Sequence, residues 1–254
     1  MNINNEIVKK SDENLPYSPF LNYSMFPPAE YADSDGFLAI SRDLGLTKVI
    51  DAYSNGIFPW FKDGDFFCWF SPPKRAVLEF DNFKLSRSLK KKIRKIPFNI
   101  KADTAFESVI DACSKATRKH QEGSWIDKDF KNTYISLHKQ GLCHSIECYD
   151  SSNALVGGLY GVSFGKMFVG ESMFSISADS SKIALFYLNG FLKEFDFEFI
   201  DAQIQNEHLK SLGVKEIDRD IYLKRLKNSL TKRGLRGHWA VVFDDFKKSF
   251  EERL

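Results

Sequence analysis

Apolar positions along this chain recur with two periods, one helical and one strand-like, and the switches between them mark out the elements. Residues 1–30 are irregular and punctuated by Pro19, Pro27 and Pro28. Leu44, Val49, Ile50 and Tyr53 then fit an amphipathic helix that begins near Thr47 and stops before Asn55-Gly56. Two aromatic strands follow, within 56–61 and 66–70, joined by a turn at Gly64-Asp65. Ser71-Pro72-Pro73 interrupts, and Arg75 to Phe80 resumes as a strand. A soft domain boundary falls near residues 62–75.

Helical spacing of Leu85, Leu89 and Ile93 predicts a helix over 86–95, and similar patterns predict helices over 104–116 and 127–140. Segments 143–149 and 154–160 alternate as strands around the turn Asp150-Ser151-Ser152-Asn153. Val162 to Phe164 and Met167 to Phe174 read as a second hairpin through Gly165. A helix from Ile183 to Phe195 follows the cap region Ala178 to Ser181, then a strand to Gln203 and a short helix closed by Gly213. A strand over 214–217 precedes a charged tail, Ile221 to Leu254, that is helical or frayed. This order gives an α+β fold: a mixed, largely antiparallel sheet packed by helices, an order that also occurs in GNAT acyltransferases.

Composition narrows the class. With 254 residues and 43% hydrophobic positions, the chain can bury a sizeable core. No apolar run approaches the roughly 20 residues of a membrane helix, and Met1 to Asn14 lacks a signal-peptide core, so a cytoplasmic protein is expected. The cysteines Cys68, Cys113, Cys143 and Cys148 form no C-x-x-C pair and are expected to be reduced and buried. There is no P-loop, no dinucleotide loop, no H-E-x-x-H and no metal-spaced Cys/His set, so neither a metal nor a cofactor is expected. The five histidines look scattered, and His208 reads as a helix-surface or capping residue.

The net charge is only +2, but it is unevenly spread. Between Asn82 and Ala102 lie eight basic residues and no acidic one. With Leu85, Leu89 and Ile93 turned inward, Arg87, Lys90, Lys91, Arg94 and Lys95 cover the outer face of a helix. Such a field suits phosphates, although a solvated face would also produce it. Phe58, Trp60, Phe61, Phe66, Phe67, Trp69 and Phe70 crowd a short segment; most are core, and Trp60 is the best candidate for an exposed ring. Gly157-Gly158 within a strand pattern allows close approach of a ligand or of another backbone. Glu171 interrupts an apolar run and must be paired or face a cleft. Asp201 and Gln203, two apart on a strand, should share one face.

Gly56-Ile57-Phe58-Pro59-Trp60-Phe61, Trp69-Phe70-Ser71-Pro72, Leu85-Ser86-Arg87-Ser88, Gly123-Ser124-Trp125-Ile126, His144-Ser145-Ile146-Glu147, Gly157-Gly158-Leu159-Tyr160-Gly161, Gly170-Glu171-Ser172-Met173-Phe174-Ser175 and Ile200-Asp201-Ala202-Gln203 occur in one order from about residue 35 to 220. In this the chain resembles the leucyl/phenylalanyl-tRNA–protein transferase family. The resemblance implies transfer of Leu or Phe, and Met less well, from aminoacyl-tRNA to the amine of proteins beginning with Lys or Arg, marking them for N-degron proteolysis. It implies a small N-terminal α+β domain (1–70) and a GNAT-like domain (71–254), no membrane, and a monomer.

The same resemblance makes Asp201 and Gln203 the catalytic pair, with Asp201 the electrostatic partner and proton sink, Gln203 positioning the amine, and Glu171 holding the amine or the acceptor. The tRNA ribose hydroxyl is an alternative proton carrier. Leu159, Phe168, Met173 and Ser175 would bind the acyl group, Trp60 and Trp125 the terminal adenosine, and Arg87, Lys91 and Arg94 the acceptor stem. The family strand usually reads Asp-Cys-Gln; Ala202 should matter little, because its side chain should point away from the pair. Two rivals stand beside this reading. One is a non-catalytic RNA-binding module, which has no need of a polar pair in a cleft. The other is an acetyl-CoA-dependent acetyltransferase, whose glycine-rich pyrophosphate turn is missing at 176–182.

Overall fold

The computed structural model describes residues 24–116 and 126–254. In chain order the first elements are β1 (Phe37–Ser41), α1 (Leu46–Ser54), β2 (Phe58–Asp63), β3 (Phe66–Phe70), β4 (Lys74–Leu78), α2 (Arg87–Ile93), β5 (Asn99–Ala102), α3 (Phe106–Lys115) and α4 (Lys128–Lys139). The remainder are β6 (Cys143–Tyr149), β7 (Leu155–Phe164), β8 (Met167–Ser175), α5 (Ser180–Glu194), β9 (Phe199–Gln203), α6 (Glu207–Ser211), β10 (Lys215–Asp218), α7 (Arg219–Leu230) and α8 (Ala240–Glu251). Local chemistry sets several of the ends. Asp127 caps α4 by accepting from the N–H groups of Asp129 and Phe130, and Asn206 caps α6 through Leu209. Ser86 does the same for α2. Asp179 precedes α5 in the left-handed region without a side-chain cap, and its carboxylate pairs with Lys92 and Lys182 instead.

Among the described residues, β1, β3 and β2 form a small antiparallel sheet, and the other strands form a larger one in the order β10-β4-β9-β8-β7-β6-β5. Its pairings are antiparallel except for β8 with β9. This is a mixed α/β fold with a largely antiparallel sheet, helices and an N-terminal subdomain. Strand alternation sends side chains to two cores. Val77, Tyr160, Val169 and Phe199 join one cluster with α1, α3, α4 and the aromatic strands. Leu78, Leu159, Phe168 and Ile200 join the other with α2, α5 and α8. Trp69 and Phe67 are buried, as the aromatic pattern predicts for most of that segment, and all four cysteines are buried. No helix among the described residues is long and apolar enough to cross a membrane.

Some expectations change. The two hairpins read after residue 140 are a meander, because β7 runs unbroken through ten residues and pairs with β6 and β8 along its length. Of the two readings of the charged tail the helical one holds, and α7 and α8 bury Tyr222, Leu226, Phe243 and Phe246. Strands β1 and β5 carried no distinct sequence signal, being short and, in β1, largely unburied. On α2, Leu89 and Ile93 point inward while Arg87, Lys90, Lys91, Arg94 and Lys95 are exposed, as the spacing required.

The paired glycines of β7 serve the protein's own packing. A Cβ on Gly157 would lie 2.1 Å from Ser180 Oγ and 2.4 Å from Ser180 Cβ, so the start of α5 rests directly on the strand. Ser180 Oγ donates to the Val156 carbonyl at 2.9 Å in the same contact. Gly157→Ala should therefore destabilise the fold by roughly 1–3 kcal/mol through overpacking, which a lowered urea midpoint at unchanged m-value would report.

Candidate active site

Strands β8 and β9 pair in parallel register from Met167/Phe199 to Val169/Asp201. Beyond that point a cavity of about 380 Å³ opens. Its apolar lining includes Leu159, Phe168, Met173, Leu185, Leu188 and Ile200, with buried Phe58 and Pro59 and the partly exposed Trp60 at its mouth from β2. Glu171, Gln203 and, at the rim on α6, His208 supply polar groups.

Irregularities in the two strands deliver these polar groups. On β8, Gly170 pairs with Gly161 and Ser172 with Tyr160, so Glu171 is the extra residue of a bulge. On β9, Gln203 pairs with Ala76 and Asp201 with Val77, leaving Ala202 without a register partner. Gln203 then ends the strand at φ +61°. A non-glycine residue in this region costs on the order of 1–3 kcal/mol and persists where its surroundings over-determine it.

Glu171 is buried, and its carboxylate is surrounded by neutral donors. Tyr53 donates to Oε1 at 2.6 Å and Gln203 Nε2 reaches the same oxygen at 3.1 Å. Tyr134 donates to Oε2 at 3.1 Å, and the two tyrosine hydroxyls lie 2.6 Å apart. Burial raises the Glu171 pKa to about 7; the three hydrogen bonds pull it down, and the nearby Asp201 charge pushes it up. Burial, with Glu171 close by, holds both tyrosines well above the usual phenol range.

Asp201 departs from expectation. Simple alternation predicts that its side chain shares a face with that of Gln203, but the bulge at Ala202 and the left-handed turn at Gln203 break the alternation. Asp201 is fully buried on the opposite side from the cavity, while Ala202, expected to point away, lines it. Arg75 grips Asp201 through Nε–Oδ1 at 2.9 Å and Nη2–Oδ2 at 2.7 Å. Tyr222 donates to Oδ2 at 2.7 Å, and the Gln203 N–H donates to Oδ1 at 2.8 Å. Burial alone would depress the Arg75 pKa, but the Asp201 charge more than offsets this and holds the guanidinium above its usual value. The assignment of Asp201 as proton sink is corrected on this ground: its oxygens are engaged by buried donors and do not line the cavity.

The other expected residues divide. Leu159, Phe168, Met173, Trp60, Glu171 and Gln203 come together at the cavity. Ser175 does not: it is exposed, donates to the Ser177 carbonyl at 2.9 Å and meets Ser180 Oγ at 2.9 Å. Trp125 lies outside the described residues. His208, read as a surface or cap residue, is at the cavity rim, and burial lowers its pKa. Tyr53, Tyr134, Arg75 and Tyr222 were not singled out. A signal existed: each lies on an otherwise apolar face, and a buried phenol or guanidinium requires a partner.

The histidines are not all scattered either. Asp103 accepts from His144 Nδ1 at 2.8 Å and from the Ser145 and Trp239 N–H groups at 2.9 and 2.8 Å. Asp103, His138 and His238 bring ligand-type atoms within 4.8 Å of one another. Asp103 and His138 are already occupied in hydrogen bonds, His138 Nδ1 with the Cys143 carbonyl at 2.7 Å, and the group lies away from the cavity.

Comparison with known proteins decides the family. The model of the leucyl/phenylalanyl-tRNA protein transferase matches residues 77–227, and that of the same transferase's N-terminal domain matches residues 42–73. The chain belongs to the leucyl/phenylalanyl-tRNA protein transferase family. Its relative in Maridesulfovibrio salexigens, named a leucyl/phenylalanyl-tRNA–protein transferase, is 41% identical over 222 residues, covering 87% of this chain and 92% of that one. A relative of the same name in Xylella fastidiosa is 42% identical over 234 residues, covering 91% and 96%. The solved structure of L-PGS from Bacillus licheniformis matches 63% of this chain and 66% of its own at 11% identity with a TM-score of 0.39.

The Glu171 shift has a thermodynamic consequence. Folded Glu171 keeps its proton up to about pH 7, whereas the unfolded side chain loses it near 4.5. The native state therefore binds more protons in that window, and stability falls as pH rises from about 4.5 to 7. Glu171→Gln should flatten this slope, as read from denaturant midpoints across the same range.

Proposed function

We propose that this cavity is where the aminoacyl ester of tRNA meets an incoming amine, and that Glu171 and Gln203 carry the chemistry. The chain is an aminoacyltransferase of its family, moving Leu or Phe from aminoacyl-tRNA to the N-terminal residue of a protein. The observation that carries the site assignment is Glu171, a carboxylate with a pKa near 7, in contact with Gln203 at one end of an apolar pocket.

The ester is already activated, so the reaction needs orientation, one proton transfer and stabilisation of an oxyanion. Gln203 donates from Nε2 to Glu171, which leaves its Oε1 free to accept from the amine. The amine nitrogen attacks the ester carbonyl, a C–N bond forms, and the C–O bond to ribose breaks. Glu171 takes the proton released by the amine and returns one to the departing ribose oxygen; a base with a pKa near the working pH suits both steps. The Tyr53 and Tyr134 hydroxyls keep the carboxylate aimed. Leu159, Phe168 and Met173 receive the Leu or Phe side chain. An apolar pocket separates one methylene by only roughly 1–3 kcal/mol, so Met is accepted less well rather than refused. The negative charge of Glu171 also suits acceptors beginning with Lys or Arg, which are thereby marked for N-degron proteolysis.

Trp60 at the mouth stacks the terminal adenosine, and Arg87, Lys91 and Arg94 hold acceptor-stem phosphates. The division into residues 1–70 and a GNAT-like unit over 71–254 belongs to the same proposal. It is supported by the largely antiparallel sheet whose β8/β9 pair is parallel and parts at the cavity. We also place the protein in the cytoplasm as a monomer.

Incubation with labelled leucyl-tRNA and otherwise identical proteins beginning with Lys or Ser should label only the first. Retention of tRNA without labelling would favour the RNA-binding alternative. Gln203→Ala should lower kcat by about 100-fold with little change in tRNA affinity. The rate should rise with pH through a midpoint near 7 that belongs to Glu171. Glu171→Gln should remove that midpoint and leave only the titration of the acceptor amine near pH 8.

Arg87, Lys91 and Arg94 changed together to Ala should weaken leucyl- and phenylalanyl-tRNA equally. Each lost charge should flatten log K against log [salt] by about 0.7–0.9. An aminoacyl-adenosine, which has no stem, should still be used at the wild-type rate. Equal damage to that minimal substrate would make α2 structural.

A further inference from the structure

Gln203 does not hold its position unaided. Its φ of +61° is not a strand conformation, and its N–H donates to Asp201 Oδ1 at 2.8 Å. Asp201 is fixed in turn by the Arg75 fork at 2.9 and 2.7 Å and by the Tyr222 hydroxyl at 2.7 Å. The Arg75 guanidinium lies over two rings, 4.6 Å from the centroid of Phe58 and 4.5 Å from that of Tyr222. Its Nη1 donates to the Gly56 carbonyl at 3.2 Å. One buried cation thus touches the loop before β2, a residue of the cavity wall, the carboxylate that holds Gln203, and helix α7. Arg75, Asp201 and Tyr222 do not line the cavity, whereas Phe58 and Gln203 do.

Stability alone does not account for the arrangement. A buried ion pair often does no better than apolar residues of the same volume, and the surrounding core is apolar and aromatic. What the pair adds is direction: a bidentate fork fixes the plane of the carboxylate, and the plane of the carboxylate fixes the Gln203 N–H. We propose that Arg75 and Tyr222 are positioning residues for the transfer reaction. Through Asp201 they hold the left-handed turn that brings the Gln203 amide to Glu171, and through Phe58 and Gly56 they hold the facing wall at the matching distance. Asp201 then acts as a mount for Gln203 and takes no proton in turnover. The proposal rests on the reading of Glu171 and Gln203 as the catalytic groups.

Two variants test it in the full-length protein. Tyr222→Phe deletes one hydroxyl that is out of contact with the cavity, and Arg75→Lys keeps the charge but loses the fork. Amide exchange followed by NMR should show protection at Gln203 lowered at least ten-fold in both variants, with Val169 and Phe199 within two-fold of wild type. Steady-state rates should show kcat lowered by about 10- to 100-fold. KM for leucyl-tRNA and for the acceptor should stay within two-fold, and the pH midpoint near 7 should not move. Wild-type protection at Gln203 in Tyr222→Phe overturns the proposal, whether or not Arg75→Lys folds. So does an unchanged kcat once protection is lost. Loss of the pH midpoint also overturns it, since a positioning role leaves the titration of Glu171 in place. If wild-type protein itself fails to transfer, the catalytic reading falls, and the exchange data alone still decide whether the mount exists.

Discussion

Arg75 and Asp201 meet out of water, and much of the molecule is arranged so that they can. Both are buried, and leaving either unpaired in that position would cost about 3–5 kcal/mol. The pair therefore constrains everything it touches. Strand β4 must lie beside β9, α7 must bring Tyr222 to the carboxylate, and the loop before β2 must bring the Gly56 carbonyl to the guanidinium. Those elements come from the first and last thirds of the chain. Their convergence explains how the small aromatic sheet and the larger sheet share one continuous hydrophobic cluster.

The two carboxylates near the reacting centre differ in what surrounds them. Asp201 has a cation in bidentate contact; Glu171 has two phenols and an amide, all neutral. Neutral donors soften the burial of Glu171 without cancelling it, so its pKa settles near 7. A group with that value can take and return a proton at neutral pH. The same two residue types, one mounted and one poised, are separated by a single feature of local geometry. The bulge at Glu171 turns one side chain to the cavity side, while regular alternation up to Asp201 keeps the other away from it.

Charge follows the same division of labour at the surface. The basic face of α2 is held outward because Leu89 and Ile93 are buried, and Lys92 is the member of the run that turns to Asp179 beside the start of α5. At the far end of the sheet, Asp103 ties Trp239 and the entry to α8 to the strand carrying His144, and the indole stacks on that imidazole at 3.7 Å between centroids. A tail that reads as charged is thereby part of the core.

Periodicity in the sequence determined most of the elements and which face of each is apolar. The helices over 46–54, 106–115 and 128–139, the inward set Leu89 and Ile93, and the strands on both sides of Asp150-Ser151 all follow from local patterns that no distant contact overrides. The motif order determined the family, and with it Glu171, Gln203, Leu159, Phe168 and Met173 as residues of one cavity. Tertiary structure decided the rest. An i, i+2 rule cannot foresee a bulge, since a bulge depends on the register of the neighbouring strand; for that reason Gln203 leaves the face of Asp201 and joins Ala202 at the cavity. Nor can local pattern say that the phenols of Tyr53 and Tyr134, 81 residues apart in sequence, end on the same carboxylate. An apolar period records that a side chain goes inside, while the partner its polar atom finds there is chosen by the packing of the whole chain.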